Sequence, residues 1–260
     1  MNALVLLLAL LIDRFLGDPD WLWRTVSHPV ALFGKVIEIA DKHLNDHNKS
    51  PYEKRRDGFV AIAGLMTVAA FAGYLVHWLA ALAGPIGLLI EAAIAGIFLA
   101  QKSLIDHVAA VAKGLRDGGL QGGRKAVSMI VGRDPETLDE AGVSRAAIES
   151  LAENSSDGVI APAFWLLIAG LPGLFAYKML NTADSMIGHM NDKYRDFGRA
   201  SAKIDDAANW IPARLTGLML VMAGGLIQGS GKAVEAFGTM LRDARLHRSP
   251  NAGWPESAMG

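Results

Sequence analysis

Charge is spread along this chain in a way that few folds can accommodate. The 260 residues include 25 Lys and Arg and 26 Asp and Glu, yet residues 59–83, 159–177 and 215–231 hold none of them, and 84–100 hold only Glu91. A helix needs roughly 20 apolar residues to cross the hydrocarbon core of a membrane. The first stretch is long enough and the others approach that length. A large soluble helical protein would also contain apolar helices, but its core helices normally keep a polar face, which these stretches lack. The expectation is an all-α, polytopic integral membrane protein, a single membrane-embedded domain over residues 1–260. Its apolar segments fall at 2–12, 59–83, 84–100, 159–180 and 215–231, and cytoplasmic helical loops carry the site.

The run 2–12 has no basic start and no small-residue cleavage site, so it reads as a retained membrane segment entering the interface at Asp13. Cysteine is absent, which excludes disulfides, thiolate catalysis and Cys-ligated metals. Near-zero net charge gives no sign of a nucleic-acid partner. Gly84-Pro85 breaks the helical pattern between 59–83 and 84–100, predicting a hairpin of spanning helices with its tip outside. Regions 13–57 and 101–158, with eight and seven Lys or Arg, then lie on the cytoplasmic side. In segment 159–180, Gly170-Leu171-Pro172-Gly173 separates two pieces too short to cross. The segment is either one kinked span or a dip that returns to the side it entered from, and the return is favoured. Whether 215–231 crosses stays open. Inside the hairpin, His77 and Glu91 read first as a mutual hydrogen bond and only second as a functional pair.

Three polar constellations carry the chemistry. Glu149, Glu153 and Asp157 recur at i, i+4 and i+8, which on a continuous helix places three carboxylates on one face beside Asn154. Mutual repulsion makes a cation such as Mg²⁺ the natural remedy, against the plainer reading of an acidic helix surface. Tyr177, Asn181, Asp184, Gly188 and Asn191 share a second face on an otherwise apolar helix. Lys178 beside them reads as a phosphate or carboxylate holder or as a side chain snorkelling to the interface. In the third, Asp205 and Asn209 share a face, Asp206 adjoins them, and Arg214 follows Pro212. That set suits a metal-phosphate site, with an interfacial anchor as the plain reading of Arg214. The amino-terminal region adds Asp13, Arg14, Asp18 and His28, of which Asp18 and His28 precede Pro19 and Pro29 and would be held rigidly. His247 to Glu256 forms another rigid Gly/Pro-rich polar loop. No GxxxxGK[ST], GxGxxG or HExxH motif occurs, so any nucleotide is held in some other way.

Read in order, Asp13-Arg-Phe-Leu-Gly-Asp-Pro, His28-Pro-Val, Glu149-Ser-Leu-Ala-Glu-Asn-Ser-Ser-Asp-Gly-Val-Ile-Ala-Pro, Tyr177-Lys-Met-Leu-Asn-Thr-Ala-Asp-Ser-Met, Asp205-Asp-Ala-Ala-Asn-Trp-Ile-Pro-Ala-Arg-Leu-Thr and Ser249-Pro-Asn-Ala-Gly-Trp-Pro-Glu resemble the CbiB/CobD family of cobalamin biosynthesis. The resemblance covers essentially the whole chain. It implies an integral membrane adenosylcobinamide-phosphate synthase, an ATP-dependent acid-amine ligase of the bacterial inner membrane whose site faces the cytoplasm. Such an enzyme joins the amine of aminopropanol phosphate to a carboxylate of adenosylcobyric acid. Family members continue beyond the position of Gly260, so the resemblance also implies that the family's C-terminal part is missing here.

The expected assignments follow. Glu149, Glu153, Asn154, Lys178, Asn181 and Arg214 act on the reacting groups. Asp13, Arg14, Asp18, His28, Tyr177, Asn191 and Asn209 bind substrate, and Asp157, Asp184, Asp205 and Asp206 bind Mg²⁺. ATP and Mg²⁺ are the expected cofactors. A corrinoid, an amino-alcohol phosphate, membrane lipid and other cobalamin-pathway enzymes are the expected partners, with no nucleic acid. Two other classes fit parts of the pattern: a Mg²⁺-dependent membrane phospho- or prenyltransferase, and a small-solute transporter with a midplane site.

Overall fold

In the computed structural model, residues 1–132 and 134–260 are described, Asp20 by its backbone alone. Among them there is no strand. The helices are α1 (Asn2–Phe15), α2 (Asp20–Trp23), α3 (Pro29–Leu44), α4 (Pro51–Ala81), α5 (Pro85–Gly96), α6 (Gln101–Val127), α7 (Glu140–Ser155), α8 (Ala161–Ile187), α9 (Arg199–Ala208), α10 (Trp210–Gln228), α11 (Ser230–Asp243) and α12 (Gly253–Met259). Among the described residues, four helical stretches, Pro51–Ala81, Pro85–Val127, Glu140–Ile187 and Trp210–Gln228, are long and apolar enough to cross a membrane. The most apolar window of α4 is only 22% buried by the rest of the chain, and Phe59, Val68, Phe71 and Leu79 lie exposed along it. An apolar surface that extensive needs a non-aqueous surrounding, so the soluble alternative fails. The chain is a helical membrane protein.

The contacts divide the chain into two compact units, Met1–Leu99 with Pro162–Asn209, and Ala100–Ala161 with Trp210–Gly260. In the first unit, α4 opens on a reciprocal cap in which Ser50 and Glu53 each satisfy the other's backbone N–H. It then folds back into α5 at Gly84, whose φ is +59°. Inside that hairpin His77 Nδ1 and Glu91 Oε1 are 2.9 Å apart, so the pair forms the mutual hydrogen bond expected of it. Helix α1 packs on α5. Phe33, Phe98 and Phe175 cluster in the core, with the Phe98 and Phe175 ring centroids 4.7 Å apart.

The broken segment returns on itself. Gly170 has φ +64° and ψ −158°, a conformation essentially confined to glycine. A Cβ on Gly173 would lie 2.7 Å from the carbonyl oxygen of Trp165, eight residues earlier. A straight helix would separate those residues by about 12 Å, so the chain has reversed. The tip meets α4 about three-quarters of the way along, where a Cβ on Gly73 would lie 2.6 Å from the Leu171 carbonyl oxygen. The Ile187 end meets Gly198. Phe197 beside it packs on Gly58, one residue beyond the charged start of α4 that carries Arg55, Arg56 and Asp57. Trp165 Nε1 donates to the Ala208 carbonyl at 3.3 Å, and Tyr177 Oη donates to Asn209 at 2.9 Å. Both limbs of the hairpin therefore reach the α9 end of the unit.

In the second unit, α6 turns at Gly119 (φ +57°) and its limbs press together at Gly114 and Gly122. Val111, Val127, Val143, Ala146 and Ala147 bind this hairpin to α7. Helices α10 and α11 turn about Gly229, and α12 packs on α10, α11 and α7.

Candidate functional site

The second unit holds an acidic cleft of about 480 Å³, lined on α7 by Ala146, Glu149, Ser150, Glu153 and Asn154 and on the opposite wall by His247, Ser249, Ala252 and Glu256. The α7 wall is fixed by a short relay. Asn154 Nδ2 donates to the Ser150 carbonyl at 2.8 Å, and Ser150 Oγ donates to the Ile130 carbonyl at 3.0 Å. The other wall is a turn built from its own side chains. His247 Nδ1 accepts from the Ser249 N–H at 3.0 Å, and Ser249 Oγ accepts from the N–H groups of Asn251 and Ala252 at 3.2 Å each. Since Nδ1 accepts, the neutral imidazole carries its proton on Nε2, which lies 3.5 Å from Glu256 Oε2. Gly253 allows the turn to sit directly on the Ala244 carbonyl. The sequence singled out this loop as rigid but gave no sign that it faces Glu149 and Glu153.

Asp157 does not line this cleft. Residues Ser156–Ile160 form a π-helical turn, and its extra residue breaks the i, i+4, i+8 register that would have aligned Asp157 with Glu149 and Glu153. The three-carboxylate stripe is thus two carboxylates of α7 and one beyond a register break. Arg214 stacks between Trp210 and Trp254, 4.1 and 4.6 Å from their ring centroids, and donates to the Trp210 carbonyl at 2.6 Å. Its guanidinium faces are covered and only its edges can donate further.

In the first unit, Tyr177 Oη donates to Asn209 Oδ1 and Asn209 Nδ2 donates to Asp205 Oδ2, each at 2.9 Å. All three residues are buried. This chain ties α8 to α9. The expected polar face from Tyr177 to Asn191 is cut short, because α8 ends at Ile187. Asn191 instead accepts from the Tyr194 N–H at 3.0 Å, a local turn that replaces the helix. Lys178, Asn181 and Asp184 remain half-buried on α8. Asp206 is a partly buried carboxylate whose pKa is pushed up by burial, with Lys203 opposing.

Near the amino terminus, His28 caps α3 by accepting the Val30 N–H at 3.2 Å, packs edge-on against Trp23, and points Nε2 at Asp18, 3.7 Å away. The two residues expected to be held rigidly do meet. Asp13 is buried in α1, while Arg14 is exposed.

Among the described residues, no group of three or more His, Asp or Glu side chains could hold a metal ion. The expected Mg²⁺ ligands Asp157, Asp184, Asp205 and Asp206 therefore do not form a protein cage. Mg²⁺ commonly uses only one or two carboxylates together with substrate phosphates.

The family model described as CobD/Cbib protein matches residues 6–260. The chain belongs to that family. Cobalamin biosynthesis protein CobD of Brucella suis biovar 1 (strain 1330) is 61% identical over 258 residues, covering 99% of this chain and 79% of the relative. The protein of the same name from Sinorhizobium sp is 60% identical, covering 98% and 79%. That from Rhodobacter capsulatus is 51% identical, covering 99% and 79%. No solved structure matches the chain.

Proposed function

We propose that this CobD/CbiB chain serves cobalamin biosynthesis as an ATP-dependent amide-forming enzyme, joining aminopropanol phosphate to a carboxylate of adenosylcobyric acid. The cobalamin role rests on the family and on relatives up to 61% identical. The amide-forming step rests on one observation, the acidic cleft that joins two separate motif strings, Glu149 to Asn154 and Ser249 to Glu256.

At neutral pH the incoming amine is an ammonium ion. A cleft with three Glu side chains attracts it, and a carboxylate within hydrogen-bond reach accepts the proton it must lose before attack. His247 presents an N–H to Glu256, so it orients that carboxylate rather than acting as the base. ATP converts the corrinoid carboxylate to an acyl phosphate with release of ADP. The freed amine attacks the carbonyl carbon, the C–N bond forms, and phosphate leaves. ATP enters with Mg²⁺, and no step is assigned to a protein-held metal. We place the reaction at the bacterial inner membrane, with its site on the cytoplasmic side where ATP is found. A phospho- or prenyltransferase would need acids gathered around the metal of a diphosphate, and among the described residues no three acids are placed to hold one metal ion.

The test is the reaction itself. Purified chain in detergent, given adenosylcobyric acid, aminopropanol phosphate and Mg-ATP, should yield adenosylcobinamide phosphate by mass spectrometry, with one ATP cleaved per amide. ATP cleavage without amide, or neither, removes the proposal.

A further inference from the structure

A second cleft lies wholly in the first unit and has the opposite charge. About 520 Å³ in volume, it is lined by Arg55 at the start of α4, by the segment after α8, and by α9. Four cationic side chains, Arg55, Arg195, Arg199 and Lys203, face two acids, Asp196 and Asp206. Asp196 is taken up by Arg55, 2.8 Å away. Among the described residues, Arg195, Arg199 and Lys203 form no ion pair within 4.0 Å. They recur every four residues. Arg199 and Lys203 share a face of α9, and like charges so spaced repel.

The backbone between the cations is fixed by packing, while the side chains of Arg195, Arg199 and Lys203 are exposed. Phe197, in the middle of the cluster, is fully buried. Its carbonyl presses on Gly58 of α4 so closely that a Cβ there would overlap it, and Gly198 is pressed in the same way against the carbonyl of Ile187. Arg195 and Arg199 flank this clamp. Helix α9 begins at Arg199 without a side-chain cap, so its first N–H groups add positive potential at the same end. A repelling cation ladder gives the fold no stability of its own, but it matches a phosphate dianion, which guanidinium forks bind bidentately.

We propose that this cleft is a phosphoanion site, formed by Arg195, Arg199 and Lys203, that takes the phosphate end of one substrate. The identity of that substrate rests on the amide-forming reading above, where both ATP and the amino alcohol carry phosphate. The existence of the site does not.

The experiment is calorimetric titration of the full chain in detergent with three probes: inorganic pyrophosphate, ATP and aminopropanol phosphate. Parent chain, Arg199→Gln, Lys203→Gln and the exposed Arg195→Gln are compared, with Lys125→Gln as control. The expected result is at least a tenfold loss of pyrophosphate affinity in the cleft variants, none in the control, and a matching loss for one of the two substrates. A loss confined to ATP assigns the cleft to nucleotide, and a loss confined to aminopropanol phosphate assigns it to the amino alcohol. Unchanged binding of all three probes in folded variants overturns the site. Arg195→Gln lies outside any helix and keeps the test decisive if the α9 variants misfold. Arg199-dependent binding by a chain that makes no amide would keep this site and remove the catalytic reading. Amide formation with unchanged probe binding would do the reverse.

Discussion

The carbonyl oxygen of Trp165 lies where a side chain on Gly173 would have to go, with 2.7 Å between that oxygen and an added Cβ. Two apolar half-segments thus form a closed hairpin, with Gly170 at its turn. Gly170→Ala puts a Cβ on a residue at φ +64°, at a cost of about 1–3 kcal/mol. Gly173→Val forces the limbs apart and should cost at least as much. Thermal unfolding in detergent should rank parent above Gly170→Ala and Gly173→Val, with Gly224→Ala, in open space, close to parent. Parent-like stability of Gly173→Val would mean that the limbs are not pressed together.

The hairpin predicts a labelling pattern. The Ile187 end lies by the charged start of α4, a region that the basic-loop rule assigns to the cytoplasm. Cysteines at the exposed positions Ser185 and Ala207, in a chain without native cysteine, should be protected from an impermeant thiol reagent on intact cells and react after lysis. A cysteine at Ser144 on α7 should behave identically if the segment from 159 to 187 returns to its starting side. Ser201 is unsuitable because it is fully buried. External labelling of the Ser185 or Ala207 cysteine alone would show a crossing.

What the sequence revealed depended on which residue carried the signal. Gly84-Pro85 and Leu171-Pro172-Gly173 announce their turns because proline removes a helical N–H. The turns at Gly119 and Gly229 lack an adjacent proline and sit among other glycines, so no single residue marks them. Charge-free length identified the membrane helices, since lipid imposes that pattern directly. Periodicity placed Glu149 and Glu153 on one wall, but it cannot report a π turn, which changes register without changing spacing. Nor does it mark where a helix stops, so it carried the Tyr177 face past the end of α8 at Ile187 to Asn191. Arg195, Arg199 and Lys203 belong to no motif in the sequence, because their convergence depends on Phe197 being buried against Gly58, a contact between distant parts of the chain.

Two carboxylates should give opposite pH signatures. Asp41 is partly desolvated, which raises its pKa, but hydrogen bonds from Lys193, Asn45 and Tyr194 outweigh this and hold it below the ordinary 3.8. A depressed folded pKa gives stability that is present above pH 3.8 and is lost as pH falls through the lower folded value. Asp41→Asn should therefore destabilise at pH 7, by about 1–3 kcal/mol for the lost charged hydrogen bonds. Burial pushes Asp206 above 3.8 despite Lys203. The folded state then binds the proton more tightly, and its stability falls as pH rises from 3.8 through the folded value. Asp206→Asn should raise the Tm at pH 7 relative to parent and leave it less changed near pH 4. Parallel shifts of both variants at both pH values would contradict these assignments.

The acidic cleft predicts a separation of the two half-reactions. If Glu149 and Glu153 serve the amine, Glu149→Gln and Glu153→Gln remove the attraction for ammonium and an acceptor for its proton, while the shape of the wall is kept. Proton transfer by a positioned side chain is worth roughly 10²–10⁴-fold, so amide formation should fall by that order. Activation of the corrinoid carboxylate does not need the amine. Adenosylcobyric acid-dependent ATP cleavage should persist in both variants, and hydroxylamine, a nucleophile that is neutral at pH 7, should trap the acyl phosphate at near-parental rate. His247→Gln should have a smaller effect, because His247 acts through Glu256. Its loss should show as a changed pH profile more than a lower maximum rate. Loss of ATP cleavage together with amide formation in Glu153→Gln would mean that the cleft serves the carboxylate and nucleotide, and the amine would have to be sought elsewhere.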